Sequence, residues 1–157
     1  MEEDTSGFAA ACRRAEDAAL RLIARAEQNT AGLAAKLERR SFDAAVIQAV
    51  VSGLVDRDLL NDARYAERWI RSRLALRKAP SPWWLLTALR KRGIDREPSR
   101  KALDKALDPQ TEYELLVRYA QEACLSQGKA ALPHRAWLRH QGFSSQALDR
   151  YFDEASG

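Results

Sequence analysis

A short figure that stops one helix and starts the next occurs three times in this chain. It reads Leu37-Glu38-Arg39-Arg40-Ser41-Phe42-Asp43, then Leu89-Arg90-Lys91-Arg92-Gly93-Ile94-Asp95, then Leu138-Arg139-His140-Gln141-Gly142-Phe143-Ser144. Gly93 and Gly142 can take the left-handed backbone conformation that ends a helix, and Ser41 stands where the first copy would be expected to carry glycine. Asp43, Asp95 and Ser144 have side chains able to cap the free amides of a following helix. The apolar markers Phe42, Ile94 and Phe143 lie 52 and 49 residues apart, room for three short helices per copy. The fold expected is therefore all-α, a tandem array of three three-helix repeats of about fifty residues each, elongated and curved. The expected boundaries are an N-terminal tail at 1–15, partly disordered, then repeats at 16–60, 61–108 and 109–157.

Apolar spacing supports this division. Leu33 with Leu37 and Leu85 with Leu89 share one helical face upstream of the figure, and Val46, Ile47, Val50 and Val51, or Leu103, Ala106 and Leu107, do so downstream. The third copy has drifted most, with His134 where the other two have leucine. Helices are expected over about 16–28, from Asn29 or Thr30 through Leu37, and over 46–54. A long one runs from Asn61 or Asp62 to about Arg77, followed by one over 83–91 and one from Asp108 and Pro109 to about Ser126. Ser81 and Pro82 suit cap and first-turn positions, and Gly128 and Pro133 would end one helix and begin the next.

Charge is uneven along the chain. Residues 1–63 hold 8 Lys/Arg against 11 Asp/Glu, residues 64–105 hold 13 against 4, and residues 106–157 hold 5 against 7. The middle repeat is thus strongly basic between two mildly acidic ones. Arg64, Arg68, Arg71 and Lys78 follow at spacings that would place all four on one helical face, and Arg90, Lys91 and Arg92 lie in the same repeat. Such a stripe is either a solvated face or a footprint for a polyanion, nucleic acid or acidic protein. Tyr65, Trp69, Trp83 and Trp84 are expected to pack together, with one of the two adjacent tryptophans left partly exposed to stack on a base or enter a partner's pocket.

Catalytic and metal chemistry find little material. The two cysteines, Cys12 and Cys124, and two histidines, His134 and His140, lack the paired spacing of a zinc site, and no phosphate-binding glycine loop, nucleophile elbow or HExxH helix is present. The expectation is a protein that is not an enzyme and uses no cofactor. The longest uncharged stretch, Ala44 to Val55, is too short to span a bilayer, and the chain opens Met1-Glu2-Glu3-Asp4, opposite in sign to a secretory leader, so a cytoplasmic location is expected.

Leu59-Leu60-Asn61-Asp62-Ala63-Arg64-Tyr65-Ala66 followed by Trp69-Ile70-Arg71-Ser72-Arg73 is similar to the "GLLDDxRFAxxxVxxR" signature of the RecX family, regulators of the bacterial RecA recombinase. Leu33 to Leu37 with Phe42 resembles that family's "ELxxKLxxKGF", and Leu89 to Ile94 its "ELxxKGI". The resemblance covers residues 18 to 153 in the family's order. It departs at Arg25-Ala26-Glu27-Gln28-Asn29-Thr30, where many members have a "REHS"-like segment, at Ser41, and at Lys78 to Trp83, where a glycine is common. The resemblance implies a non-enzymatic modulator that binds RecA filaments on single-stranded DNA, with the DNA inside the filament a second candidate contact. It implies lowered ATP hydrolysis and strand exchange, hence a part in DNA repair, recombination and the SOS response. The seven cations named above are the candidate contact residues, and a monomer is expected. The alternative is a general nucleic-acid-binding protein acting through its basic middle.

Overall fold

The computed structural model of the chain describes residues 2–126 and 134–157. Among the described residues the secondary structure is entirely helical. The elements are α1 (Glu2–Arg25), α2 (Thr30–Glu38), α3 (Ala44–Asp56), α4 (Asp62–Leu74), α5 (Pro82–Lys91), α6 (Arg96–Ala106), α7 (Pro109–Ser126), α8 (Arg135–His140) and α9 (Ser145–Ser156). Their order is consistent with three triplets. Gly128 and Pro133 lie outside the described residues.

The figure itself works as a helix terminus in each copy. Gly93 and Gly142 have φ of 80° and 94°, and Ser41 adopts the same left-handed region at 63° despite its side chain. In the first copy the Phe42 amide donates to the Leu37 carbonyl and the Ser41 amide to Glu38; in the third, Phe143 donates to Leu138 and Gly142 to Arg139. These paired bonds are a Schellman motif, which satisfies the last carbonyls of the helix and reverses the chain within two residues. A further motif of this kind, not anticipated from sequence, ends α3. There Asp58 at φ 55° donates to Val55 and Leu59 donates to Leu54.

The caps are only partly as expected. Ser144 accepts from Ala147, Asn29 from Gly32, Asn61 from Arg64, Ser81 from Trp84, and Asp108 from Gln110 and Thr111. Asp43 and Asp95 occupy the cap positions with extended backbone, yet neither side chain accepts a cap hydrogen bond. Asp62 is not a cap. Its carboxylate takes the Thr30 amide at 2.8 Å and the Thr30 hydroxyl at 2.7 Å, tying the start of α4 to the start of α2.

Two boundaries differ from the sequence reading. The first helix starts at Glu2, not near 16, so the residues assigned to a tail join α1. The alanines in the first half of α1 are strong helix formers, and Ala11 and Cys12 pack on the core. The long central helix ends at Leu74, not near Arg77, which leaves Lys78 in a connection instead of on the helical stripe.

The chain packs as two compact units, Met1–Tyr65 with Arg92–Ile94, and Ala66–Lys91 with Asp95–Gly157. Most of the second and third triplets lies in the second unit. In the first unit α1, α2 and α3 enclose Ala15, Ala19, Leu33, Leu37, Val46, Ile47, Val50, Leu54 and Leu60. The turn at Gly93 closes on this unit so tightly that a Cβ there would lie 2.5 Å from the Cβ of Ala31. In the second unit α7, α8 and α9 bury Leu115, Leu116, Leu138, Phe143, Ala147 and Leu148, with Ala79 from the α4–α5 connection in the same cluster. Tyr119 lies against both Trp137 and Phe143, with ring centroids 5.6 and 5.5 Å apart.

The three termini make opposite demands on their side chains. Ser41→Gly removes a left-handed non-glycine residue and is expected to raise the unfolding free energy by about 0.5–1 kcal/mol, part of the strain relief being offset by added freedom of the unfolded chain. Gly93→Ala adds both left-handed strain and the collision with Ala31, and is expected to lower the urea midpoint clearly. Paired denaturation curves of the two variants check both signs.

Candidate partner-binding surface

The seven cations singled out from sequence are divided between the two units. Arg64 belongs to the first unit and is engaged there. It donates to the Asp58 carboxylate at 3.2 Å and the Asp58 carbonyl at 3.1 Å, with Glu27 at 3.5 Å. Arg71, in the second unit, donates to Glu67 through Nε and Nη2, both at 3.2 Å, and Lys105 reaches the other oxygen of Glu67 at 2.7 Å. Arg64 and Arg71 thus spend part of their charge internally. Arg68 is exposed on α4, Arg90 and Lys91 on the last turn of α5, and Arg92 in the turn after it. Lys78 is exposed in the α4–α5 connection, beside an aromatic cluster.

That connection, residues 75–81, is built by α7. Arg118 donates to the carbonyls of Leu74 at 3.3 Å, Leu76 at 2.9 Å and Arg77 at 3.3 Å, so a guanidinium closes the end of α4 where the helix dipole is negative. One turn along α7, both oxygens of Glu122 accept from the Ala79 amide at 3.1 Å. Ser81 then caps α5, and the Trp83 amide donates to the carbonyl of Gln141 at 2.9 Å. Pro80 and Pro82 stiffen the passage between these anchors.

The result is a cavity of about 350 Å³ whose walls include Arg73, Leu76, Lys78, Trp83, Trp84 and Tyr119. Trp69 is buried and stacks on Trp84 with centroids 5.9 Å apart, while the guanidinium of Arg73 lies 5.2 Å from the Trp69 ring centre. The Nε of Arg73 is shielded from solvent and has no hydrogen-bond partner among the described residues. Both adjacent tryptophans are exposed, Trp83 by 53% and Trp84 by 45%, where the sequence reading expected one. Arg73, Leu76 and Tyr119 escaped that reading. Arg73 lies two positions from the stripe, and Tyr119 comes from a helix that only tertiary packing brings near. The basic run and the Trp83-Trp84 pair were the available signals.

Glu67 in this unit accepts from two cations. The hydrogen bond from Lys105, helped by Arg71, holds its carboxyl below the ordinary glutamate range. Among the described residues no group of three His, Cys, Asp or Glu could hold a metal ion, and no helix is long and apolar enough to cross a membrane.

Helical triplets with a left-handed turn before the last helix of each, and a basic and aromatic surface on the second unit, define an all-helical repeat protein. Comparison with known proteins makes the class specific. Residues 61–103 match the model of the RecX second three-helix domain. The regulatory protein RecX of Treponema pallidum (strain Nichols) is 32% identical over 143 residues, covering 91% of this chain and 77% of its own length. That of Halorhodospira halophila is 31% identical over 145 residues, covering 88% of this chain and 86% of its own. The crystal structure of RecX from Lactobacillus salivarius superimposes with a TM-score of 0.75 at 22% identity, covering 93% of this chain and 97% of that one. A second crystal structure of a regulatory protein RecX gives 0.76 at 19% identity, covering 98% and 78%. The chain belongs to the RecX family of regulatory proteins.

Two substitutions test the construction of the surface. Glu122→Ala leaves the buried Ala79 amide without its acceptor and is expected to cost about 1–3 kcal/mol, whereas Glu122→Gln retains an accepting oxygen and should recover most of the loss. Thermal melts of the two variants separate these outcomes. For Glu67 the depressed folded pKa means that its contribution to stability is present above the carboxyl's unfolded pKa and is lost as pH falls through the folded value. Lys105→Met is therefore expected to raise the Glu67 pKa and flatten the acid limb of the stability profile. A side-chain carboxyl NMR titration reads the first effect and melts across the acid range read the second.

Proposed function

We propose that this protein binds RecA filaments assembled on single-stranded DNA and lowers their ATP hydrolysis and strand exchange, acting in the cytoplasm as a monomer without cofactor. The observation that carries this reading is kinship over most of the chain with proteins named as RecX regulators. The surface chemistry is in keeping with it. A filament offers a partner that is long, repetitive and polyanionic in part, and a chain of helical triplets with exposed cations at Arg68, Arg90, Lys91 and Arg92 can meet it by charge complementarity. Filament regulation of this kind would place the protein in recombination, DNA repair and the SOS response.

Direct polynucleotide binding is the second reading, favoured by the excess of 13 Lys/Arg over 4 Asp/Glu in residues 64–105. It predicts affinity for free single strands that falls steeply with salt, by about 0.7 in the log–log slope for each phosphate engaged.

The experiment that tests the first reading is a titration of this protein into RecA hydrolysing ATP on single-stranded DNA, alongside binding to DNA alone. Inhibition at concentrations too low to coat the DNA is expected; inhibition only when the DNA is saturated favours the second reading. Arg68→Glu with Lys91→Glu leaves the Glu67–Arg71–Lys105 cluster in place and is expected to weaken inhibition about tenfold or more at unchanged helicity. Full inhibition by that double variant would remove these cations from the contact.

A further inference from the structure

The cavity beside the α4–α5 connection carries features that its packing role does not explain. Leu76, Trp83 and Trp84 are 49%, 53% and 45% exposed around a single opening, so three large apolar side chains are left in water at one place. Clustered apolar exposure of this kind marks an interaction site. The walls are tied down by contacts within the unit. Trp84 is stacked on Trp69, and α7 holds the connecting backbone at Leu74, Leu76, Arg77 and Ala79.

Two cations border this apolar opening, and none of the described residues lining it is acidic. Glu122, nearby in the chain's packing, has both oxygens on the Ala79 amide. Arg73 lines the opening with its guanidinium 5.2 Å from the Trp69 ring centre, and its Nε has no hydrogen-bond partner among the described residues. Lys78 brings an exposed ammonium. A volume of about 350 Å³ is at the lower end for ligand sites, enough for one large side chain and not for a helix.

We infer that this cavity is a docking site for an acidic peptide segment of a protein partner, which inserts one aromatic or large aliphatic side chain between Trp83 and Leu76 while flanking carboxylates meet Arg73 and Lys78. Binding a run of nucleobases would need successive free ring faces spaced along a strand and a track of cations beside them. Here the two indoles are consecutive residues on one helix turn, and Trp84 already has a ring face against Trp69. One apolar anchor with carboxylates on either side fits better. The inference rests on the reading that the protein works through a protein partner.

The test uses the full chain labelled with ¹⁵N, the indole N–H signals of its four tryptophans, and a short synthetic peptide of aspartates and glutamates around a central phenylalanine. Saturable shifts of Trp83 and Trp84, with Trp137 unmoved, are expected. Binding should be about tenfold weaker or worse for the peptide with central alanine, for its Asn/Gln counterpart, and for the Trp83→Ala and Lys78→Glu variants, both of which change exposed side chains. Absence of saturation up to about 1 mM peptide, equal binding of the uncharged counterpart, or shifts produced by oligothymidylate and not by the peptide would each overturn the inference. Titration of the same preparation into the RecA ATPase separates the two proposals. Inhibition without peptide binding refutes the docking site alone, and peptide binding without inhibition refutes the filament reading alone.

Discussion

A left-handed residue that ends a helix and hands the chain directly to the next is the constraint on which this structure depends. At Ser41, Gly93 and Gly142 the chain turns within two residues, and in the first and third copies paired backbone bonds take up carbonyls that would otherwise face solvent or core unsatisfied. The apolar residue that follows each turn, Phe42, Ile94 or Phe143, is thereby directed inward, with Ile94 and Phe143 almost fully buried. Short helices of nine to thirteen residues such as α2, α3 and α5 are marginal alone. They persist because these turns hold each against its neighbours at once.

A second layer of order comes from carboxylates used as backbone clamps. Asp62 holds the Thr30 amide and hydroxyl, Glu112 holds the Ser144 amide at 2.7 Å and hydroxyl at 2.8 Å, and Glu122 holds Ala79. Each places negative charge where helix-start or loop amides are exposed, the complement of Arg118 at the end of α4. Three carboxylates thus serve the construction of the fold, each on backbone atoms that side-chain spacing alone would not pair with them.

Sequence periodicity disclosed the helical class, the triplets and the three turns because each depends on residues near one another in the chain. It placed Asn29, Ser81, Asp108 and Ser144 at helix starts for the same reason. It misjudged Asp62, whose partner Thr30 is 32 residues away, and the end of α4, which is decided by Arg118 from a helix more than thirty residues on. The candidate contact residues fared unevenly. Charge and spacing marked Arg64 and Arg71, but only packing reveals that Asp58, Glu27, Glu67 and Lys105 surround them. Arg73 and Tyr119 became visible beside Trp83 and Trp84 once the connection had its three-dimensional path.

Arg118 and Glu122 grip the α4–α5 connection through carbonyl and amide atoms, never through its side chains. Backbone atoms are common to every residue, so Leu76, Arg77 and Lys78 can be exchanged chemically without loosening the segment, provided its length is kept. The fixing of the backbone and the chemistry its side chains display are in this way separable. A descendant of this chain could change the face of the connection by side-chain exchange alone, whereas inserting a single residue between the two grips would leave one of them without its target.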